Sequence, residues 1–572
     1  MTIPQTKGQG CHKCIRIRQK SLCVSTQRKK KRRMQNMKKL HKVLGIALTA
    51  AMVMGNMSVA AMAEENGAPQ VDESRKSTAN SDERYEKISI GLVSDPKDLA
   101  PENTGGDNSL LYVNYNFYET LFDYRDNDYV PILAKGYTEI DDLHWQVELY
   151  DYIYDTDGNN ITASDVVFSI YTLVDAGKAL KYDKFESVEA IDDYTVEFTW
   201  TSAIDGIGDL EWPWCRTPIF SQKAYEEGNF HEAPVATGPY KVTEYTVGSK
   251  VVLEANDDYW QTDELRDPEH EANVQTIEYD IISETAQHVI ALSTGQIQYS
   301  EYVPAENIAD FQEGGQYADG NDVFVTQGSG LRVLMGNNSE DSPLNDVNLR
   351  KAVYYGIDNN AIATVAGTVL AANALGTPFF ADYNVDWETA ENNYMSVYDP
   401  EKAKEYLDQS SYDGETLTLL CSSTEIDKNM MTMIQTLLLN IGINSEILAE
   451  DEALVQSDGL DSTKWDLLIT NAGGGCQVGE WNRFTNYNEF GTDFNMAFIH
   501  DETLQDYLTT CSSLDGHTTE NMDAMHDYIL ENGYYCALTT SAMNAVYSED
   551  FANLVYRENE FLRAGACDYY LD

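Results

Sequence analysis

Leu417-Thr418-Leu419-Leu420-Cys421, Asn429 to Asn440, Ile443 to Leu448 and Leu467-Leu468-Ile469-Thr470 follow one another in this 572-residue chain, and their order decides the fold. The first run is short, apolar and bounded by polar residues, as a buried strand is. Asn429 to Asn440 brings Met430, Ile434, Leu437 and Leu438 onto one helical face, and Gly442 stands where a helix ends. Ile443 to Leu448 is a second strand and Leu467 to Thr470 a third. Strands alternating with a helix predict a largely parallel sheet covered on both faces, an α/β arrangement. Ligands of such sheets sit in the loops beyond the carboxyl ends of the strands. The loop after the third strand is Asn471-Ala472-Gly473-Gly474-Gly475-Cys476-Gln477, whose three glycines allow close approach to the backbone.

Upstream, Lys87 to Val93 alternates as a strand does, and the aromatic and apolar spacing of Asn114 to Tyr124 predicts a helix. Trp145 to Ile161 reads as a hairpin turning at Asp157-Gly158. Asp155 to Asn159 lacks the glycine placement and terminal Glu of a calcium loop, so it is a turn. Thr162 with Asp165 caps a helix carrying Val166, Ile170, Leu173 and Val174 inward. Asp346 starts another, with Leu349, Ala352, Val353, Gly356 and Ile357 on its inner face.

The first 63 residues have a different chemistry. They hold 14 Lys or Arg and no Asp or Glu. Met37-Lys38-Lys39 opens a basic segment, Val43 to Met54 is apolar except for Thr49, and Ala61-Met62-Ala63 supplies small residues for cleavage. This is the pattern of a secretory signal peptide cut after Ala63. No Cys stands near the cut for lipid attachment. Cys11-His12-Lys13-Cys14 and Cys23 lack a second ligand pair and carry no metal reading. Glu64 to Arg84 is polar and aperiodic, and reads as a disordered spacer.

Beyond Ala63 the net charge is −69, which repels nucleic acid and anionic lipid. Six cysteines remain, their pairing open. The chain holds no H-E-x-x-H, no G-x-S-x-G and no Walker-type loop. Seven histidines follow residue 63, and none forms a ligand pair at helical spacing. Neither a cofactor nor a metal is implied. A large exported chain without a catalytic signature reads as a binder rather than an enzyme.

From about residue 87 onward, short motifs arrive in an order that resembles the extracellular solute-binding proteins of family 5, the oligopeptide, dipeptide and nickel type serving ABC importers. Tyr118-Glu119-Thr120-Leu121 precedes Pro131-Ile132-Leu133-Ala134, then Trp145 to Leu149, Asp157-Gly158 and Thr162 to Ser169. Thr237-Gly238-Pro239-Tyr240, Asn256 to Trp260, Asp346 to Ala352 with Ile357-Asp358, and Tyr398-Asp399-Pro400 follow. The resemblance implies a two-lobed periplasmic-binding-protein-like fold of class II, with an extra subdomain in the first lobe and the ligand cleft between lobes. The expected pieces are 85–124, 236–330 and 541–572 for lobe I, 125–235 for the extra subdomain and 331–540 for lobe II.

It also implies a function: a monomer outside the cytoplasm that captures short peptides and delivers them to the permease subunits of the importer. In peptide-binding members, an Asp in the loop after the third strand of lobe II holds the peptide's amino terminus. That loop here, 471–481, has Glu480 as its only acid, beside Trp481. Expected ligand-binding residues are therefore Glu480, Trp481, Gly474, Gly475, Cys476 and Gln477, with Asp107 in the first-lobe loop Asn103–Asn108 as a second anchor. Oligosaccharide binding on the same fold is the alternative, given 37 Tyr and 8 Trp. A secreted hydrolase and a binding or sensory module without transport are the readings from other classes.

Overall fold

The alternating run at the start of the ordered chain forms strand β1 (Tyr85–Leu92), buried from Ile88 onward. The computed structural model that places it describes residues 69–103, 108–125, 128–178, 182, 184–262, 267–367, 369–472, 476–489, 492, 495–557 and 561–572. The basic leader 1–63, Asp107, Gly474 and Gly475 lie outside these residues.

The spacer expected through Arg84 is shorter than its composition suggests. Thr78–Asn80 form a turn of 3-10 helix, and Ser77 and Thr78 are buried. Thr78 N donates to the Tyr569 carbonyl and Leu571 N to the Lys76 carbonyl, both at 2.9 Å. Thr78 Oγ1 donates to Asp568 at 2.9 Å. Pairing with the distant C-terminus orders a segment that has no periodicity of its own.

Helix α1 (Asn108–Asn114) ends where the sequence predicts a helix to start. The side chain of Asn116 explains the displacement: its Nδ2 donates to the Tyr112 carbonyl at 2.8 Å and to the Tyr279 hydroxyl at 2.9 Å. A side-chain amide that bonds nearby backbone competes with helix continuation.

A separate four-stranded sheet follows, built from β2 (Ala134–Asp141), β3 (His144–Leu149), β4 (Phe185–Asp192) and β5 (Thr195–Trp200) in the order β2-β3-β5-β4. Helix α2 (Ala163–Asp175) packs on it, closing a core that includes Val147, Leu149, Val166, Ile170, Trp200 and Trp214. Its start is the expected capping pair, with Thr162 N donating to Asp165 Oδ2 at 2.8 Å. The expected hairpin is corrected here, since β3 pairs with β2 and β5. Asp157-Gly158 turns only a small loop, bridged at Tyr154 and Asn160, with Gly158 at φ +80°. Asp155 accepts from the backbone N–H groups of Asp157 and Asn159 at 3.0 and 2.8 Å, which is the work of a turn. Alternation in Trp145 to Tyr150 shows that a strand needs neighbours without saying which they are.

The large sheet adds β6 (Tyr240–Thr246), β7 (Lys250–Ala255), β8 (Val274–Ile281), β9 (Tyr299–Ser300), β10 (Asn321–Gly336), β11 (Thr416–Ser422), β12 (Asn444–Glu450), β13 (Leu467–Ala472) and β14 (Tyr535–Ser548). Its order is β12-β11-β13-β10-β14-β9-β1-β8-β7-β6. The quoted stretch behaves as it reads: β11 is parallel to both β12 and β13. Helix α3 (Val347–Tyr355) is capped by Asp346, and α4 (Glu425–Ile441) ends at Gly442 in the left-handed region.

The two longest strands, β10 and β14, run antiparallel through both halves of this sheet. Their register slips between Gln327 and Leu331, across Gly328-Ser329-Gly330. On one side lies the apolar core of Leu331–Leu538; on the other lies a core of Ile88, Leu92, Tyr279 and Tyr547 with their neighbours. Register fixes direction. Ala472 pairs with Leu331, so β13 ends at the slip, and β11 runs parallel to it. β9 is antiparallel to β14 and parallel to β1, so these strands also run toward the slip. Both halves therefore aim the carboxyl ends of their strands at one line.

Among the described residues no helix is long and apolar enough to cross a membrane, and the six cysteines from Cys215 to Cys567 are free thiols.

Candidate functional site

Beyond the carboxyl end of β13, the chain enters helix α5 (Gln477–Thr485). The sequence presents 471–481 as a loop; from Gln477 it is helix, with Val478, Trp481, Phe484 and Thr485 buried. Cys476 is the N-cap residue, and its thiol makes no capping bond. Asp382 takes that task from 95 positions upstream: its carboxylate accepts from Gln477 N at 2.8 and 2.9 Å and from Val478 N at 3.3 Å. A carboxylate at a helix N-terminus meets both the free N–H groups and the positive end of the dipole.

Gln477 is buried against a turn. Its Oε1 accepts from Thr377 N at 3.3 Å, and its Nε2 donates to Glu480 Oε1 at 3.3 Å. A Cβ on Gly376 would meet Gln477 Oε1 at 2.0 Å, and Gly376 has φ +144°, so only glycine serves there.

Glu480 and Trp481 face the protein interior, and both are fully buried. Burial pushes the Glu480 carboxyl up to about 8, with Gln477 opposing and Asp382 adding to the rise. Among the described residues its Oε2 has no hydrogen-bond partner. Trp481 Nε1 donates to the Leu375 carbonyl at 3.1 Å, and its ring packs on Trp387 with centroids 5.2 Å apart. In this arrangement neither side chain is exposed: one is a buried acid and the other a core ring. Cys476 is half-buried at the mouth of the helix. Burial and then the charges of Cys476 and Asp382 push the Tyr124 hydroxyl upward.

Charge at the converging strand ends comes from residues that the sequence did not single out. Arg332 follows the Gly328–Gly330 slip in β10. Its Nη1 donates to Asn471 Oδ1 at 2.7 Å and pairs with Asp427 Oδ1 at 3.0 Å. Asp427 is itself held by Ser422 Oγ at 2.6 Å, at the carboxyl end of β11. The Arg332 side chain is 24% exposed, enough for a guanidinium edge to meet solvent. On the opposite side Glu301 follows β9 and accepts from the hydroxyls of Tyr112 and Tyr299. Tyr556 OH lies 2.9 Å from Tyr299 OH. Burial and then Glu301 raise the Tyr112 and Tyr299 hydroxyls well above their ordinary range, so they stay protonated donors. No spacing rule finds Arg332 or Glu301: Glu301 stands directly beyond β9, whereas Arg332 lies inside β10 between the Gly328–Gly330 slip and the apolar Val333–Met335.

Among the described residues no group of three or more His, Cys, Asp or Glu side chains is arranged to hold a metal ion.

A sheet crossed by two long strands, with strand ends from both halves meeting at the crossing, defines a two-lobed solute-binding protein. HbpA2 from Haemophilus parasuis shares this fold with a TM-score of 0.72 at 17% identity, covering 85% of this chain and all of that one (100%). The unliganded, open MppA periplasmic murein tripeptide binding protein gives 0.71 at 15% identity, over 88% of this chain and 99% of its own. In sequence, the glutathione-binding protein GsiB of Escherichia coli O1:K1 / APEC is 24% identical over 76% of this chain and 85% of its own length. The family model for the bacterial extracellular solute-binding proteins, family 5, matches residues 128–492, and the chain belongs to that family. It is a substrate-binding component for an ABC importer, not an enzyme. Proteins of this type bind small solutes outside the cytoplasm and deliver them to permeases.

Proposed function

We propose that the protein captures short peptides with free termini in the cleft between its lobes, after export by the basic leader and cleavage behind Ala63. The observation that carries this reading is the pair of opposite charges at the converging strand ends, Arg332 on one side of the crossing and Glu301 on the other. A zwitterion with a carboxylate at one end and an ammonium at the other complements both. Between them an extended backbone finds exposed strand-end groups for hydrogen bonds. Glutathione is a tripeptide and murein tripeptide is named for one, and the relatives that carry those names support the class. Asp107, Gly474, Gly475 and Cys476 are proposed as cleft walls; Gln477 shapes them through Gly376 and Thr377. Burial of Trp481 takes one of the 8 Trp out of reach as a stacking platform for an oligosaccharide.

The test is native mass spectrometry of protein purified after export, with denaturing release of what it holds, followed by calorimetry. Released short peptides, whose affinity falls at least tenfold in Arg332→Ala and in Glu301→Gln, support the reading. N-acetylation of the peptide should abolish the effect of Glu301→Gln while leaving that of Arg332→Ala. Released hexose-series masses, or peptides indifferent to both substitutions, overturn it.

A further inference from the structure

The second lobe contains a cavity of about 720 Å³ that is separate from Arg332 and Glu301. It lies among Asp382, Tyr383, Val385, Trp387, His517 and Met522. Two of its polar groups are almost wholly enclosed: the Asp382 side chain is 2% exposed and that of His517 is 5% exposed. His517 Nδ1 lies 2.9 Å from the Cys511 carbonyl, an acceptor only, so that nitrogen carries the ring's proton. Nε2 of the neutral ring is then an acceptor as well. Among the described residues it has no hydrogen-bond partner, and it faces the Asp382 carboxylate at 3.7 Å. Asp382 already accepts from Gln477 N and Val478 N, so the unmet acceptor is His517 Nε2, which beside that carboxylate calls for a donor.

The surroundings specify its charge and its body. Among the described residues no Lys or Arg lines the cavity. Behind the wall Asp523 accepts from Trp387 Nε1 at 2.6 Å, and Glu388 accepts from the Tyr383 hydroxyl at 3.0 Å. These carboxylates add negative potential to that of Asp382. Trp387, Met522 and Val385 offer apolar surface beside the charged end. We propose that this cavity binds a small primary amine in its ammonium form, the –NH₃⁺ bridging Asp382 and His517 Nε2 and an apolar or aromatic body resting on Trp387 and Met522. The ammonium supplies three donors on one centre, which suits two acceptors and leaves one bond for solvent. The volume suits a ligand of this size. The site goes beyond the interlobe reading and does not depend on what the cleft carries.

Titration calorimetry of the purified protein with phenethylamine at pH 7.5 tests it, with 2-phenylethanol and phenylacetate as neutral and anionic counterparts. Saturable binding of the amine is expected, at least tenfold tighter than either counterpart. Asp382→Asn, which keeps an oxygen to cap α5, should weaken it at least tenfold. Val385→Trp changes an exposed residue at the rim and leaves Asp382 and the helix cap in place, and it should also weaken amine binding at least tenfold by filling the entrance. No saturable binding at millimolar amine would assign Asp382 and His517 to a salt bridge completed by a proton on Nε2, and would overturn the proposal. Equal binding of the three compounds, or binding unchanged in both variants, would do so too. Peptide binding at Arg332 and Glu301 is measured separately, so the two readings can fail independently.

Discussion

Glu480 is an acid enclosed by Gln477, Trp481 and the interior of the second lobe, and its consequence is a dependence of stability on pH. Its carboxyl is raised by burial to about 8 in the folded protein, above the ordinary carboxylate range it regains on unfolding. The folded state therefore holds a proton that the unfolded state releases first. The stabilisation is complete below the unfolded value of 4.5 and is lost progressively as pH rises toward 8. Glu480→Gln should remove this slope, and at pH 8.5 the variant should be more stable than the parent by a few kcal/mol, an order of magnitude set by the size of the shift. Denaturant melts of both proteins from pH 5 to pH 9 give the difference directly; parallel curves would mean that the carboxyl is solvated. At Gly376 the expectation is opposite in sign. Its φ of +144° and the 2.0 Å approach of Gln477 Oε1 make Gly376→Ala destabilising by about 2 kcal/mol or more, as strain of this kind costs. A melting curve unchanged in that variant would show that the turn and α5 move apart freely.

Elements were legible where a period and a stop signal coincided. β11, β12 and β13 were read from apolar runs, and α4 from its inward face and Gly442. The start of α4 is an N-cap of the ordinary kind: Thr424 Oγ1 accepts from Asp427 N at 3.3 Å. Thr424→Ala should cost about 1 kcal/mol, the usual loss for such a cap, and should weaken peptide binding modestly, because Thr424 Oγ1 lies 2.9 Å from the Ser422 Oγ that holds Asp427 beside Arg332. Thermal melts and calorimetry on the same sample check both halves. α5 was missed for a different reason. Its N-terminus follows three glycines and its cap comes from Asp382, a contact that no local pattern encodes. Once helical, Val478, Trp481 and Thr485 share its inner face, so Trp481 packs where a loop residue would have been free to stack. The candidate site was hidden by the same limit. Arg332 and Glu301 acquire their roles from strand register between segments far apart in the chain, and one-dimensional spacing carries no register.

At the scale of the whole molecule the dominant quantity is charge. Past Ala63 the chain carries 94 Asp and Glu against 25 Lys and Arg, a net −69. Local ion pairs absorb little of this. Asp123, buried with Arg557 and Arg563 at 2.9 Å each and with His270 Nε2 at 3.2 Å, is one compact group in which cations outnumber the acid, and it leaves fewer cations for the other carboxylates. Mutual repulsion among them opposes the compact state. Screening should relieve it, since the Debye length shortens from about 30 Å at 0.01 M salt to about 10 Å at 0.1 M and about 3 Å at 1 M. Melting temperature is therefore expected to rise by several degrees between 10 mM and 500 mM NaCl, steeply at first and then flattening as the screening length falls below the spacing of surface charges. Sucrose at matched osmolality, which leaves charges unscreened, should not reproduce the steep early part. The same screening should weaken the encounter of a cationic peptide while sparing a zwitterionic one, because only the former is drawn in by net charge. Scanning calorimetry and stopped-flow association across the same salt series measure the two effects on one preparation. A flat melting temperature would mean that bound counterions already neutralise the surface, and the peptide on-rates should then lose their salt dependence as well.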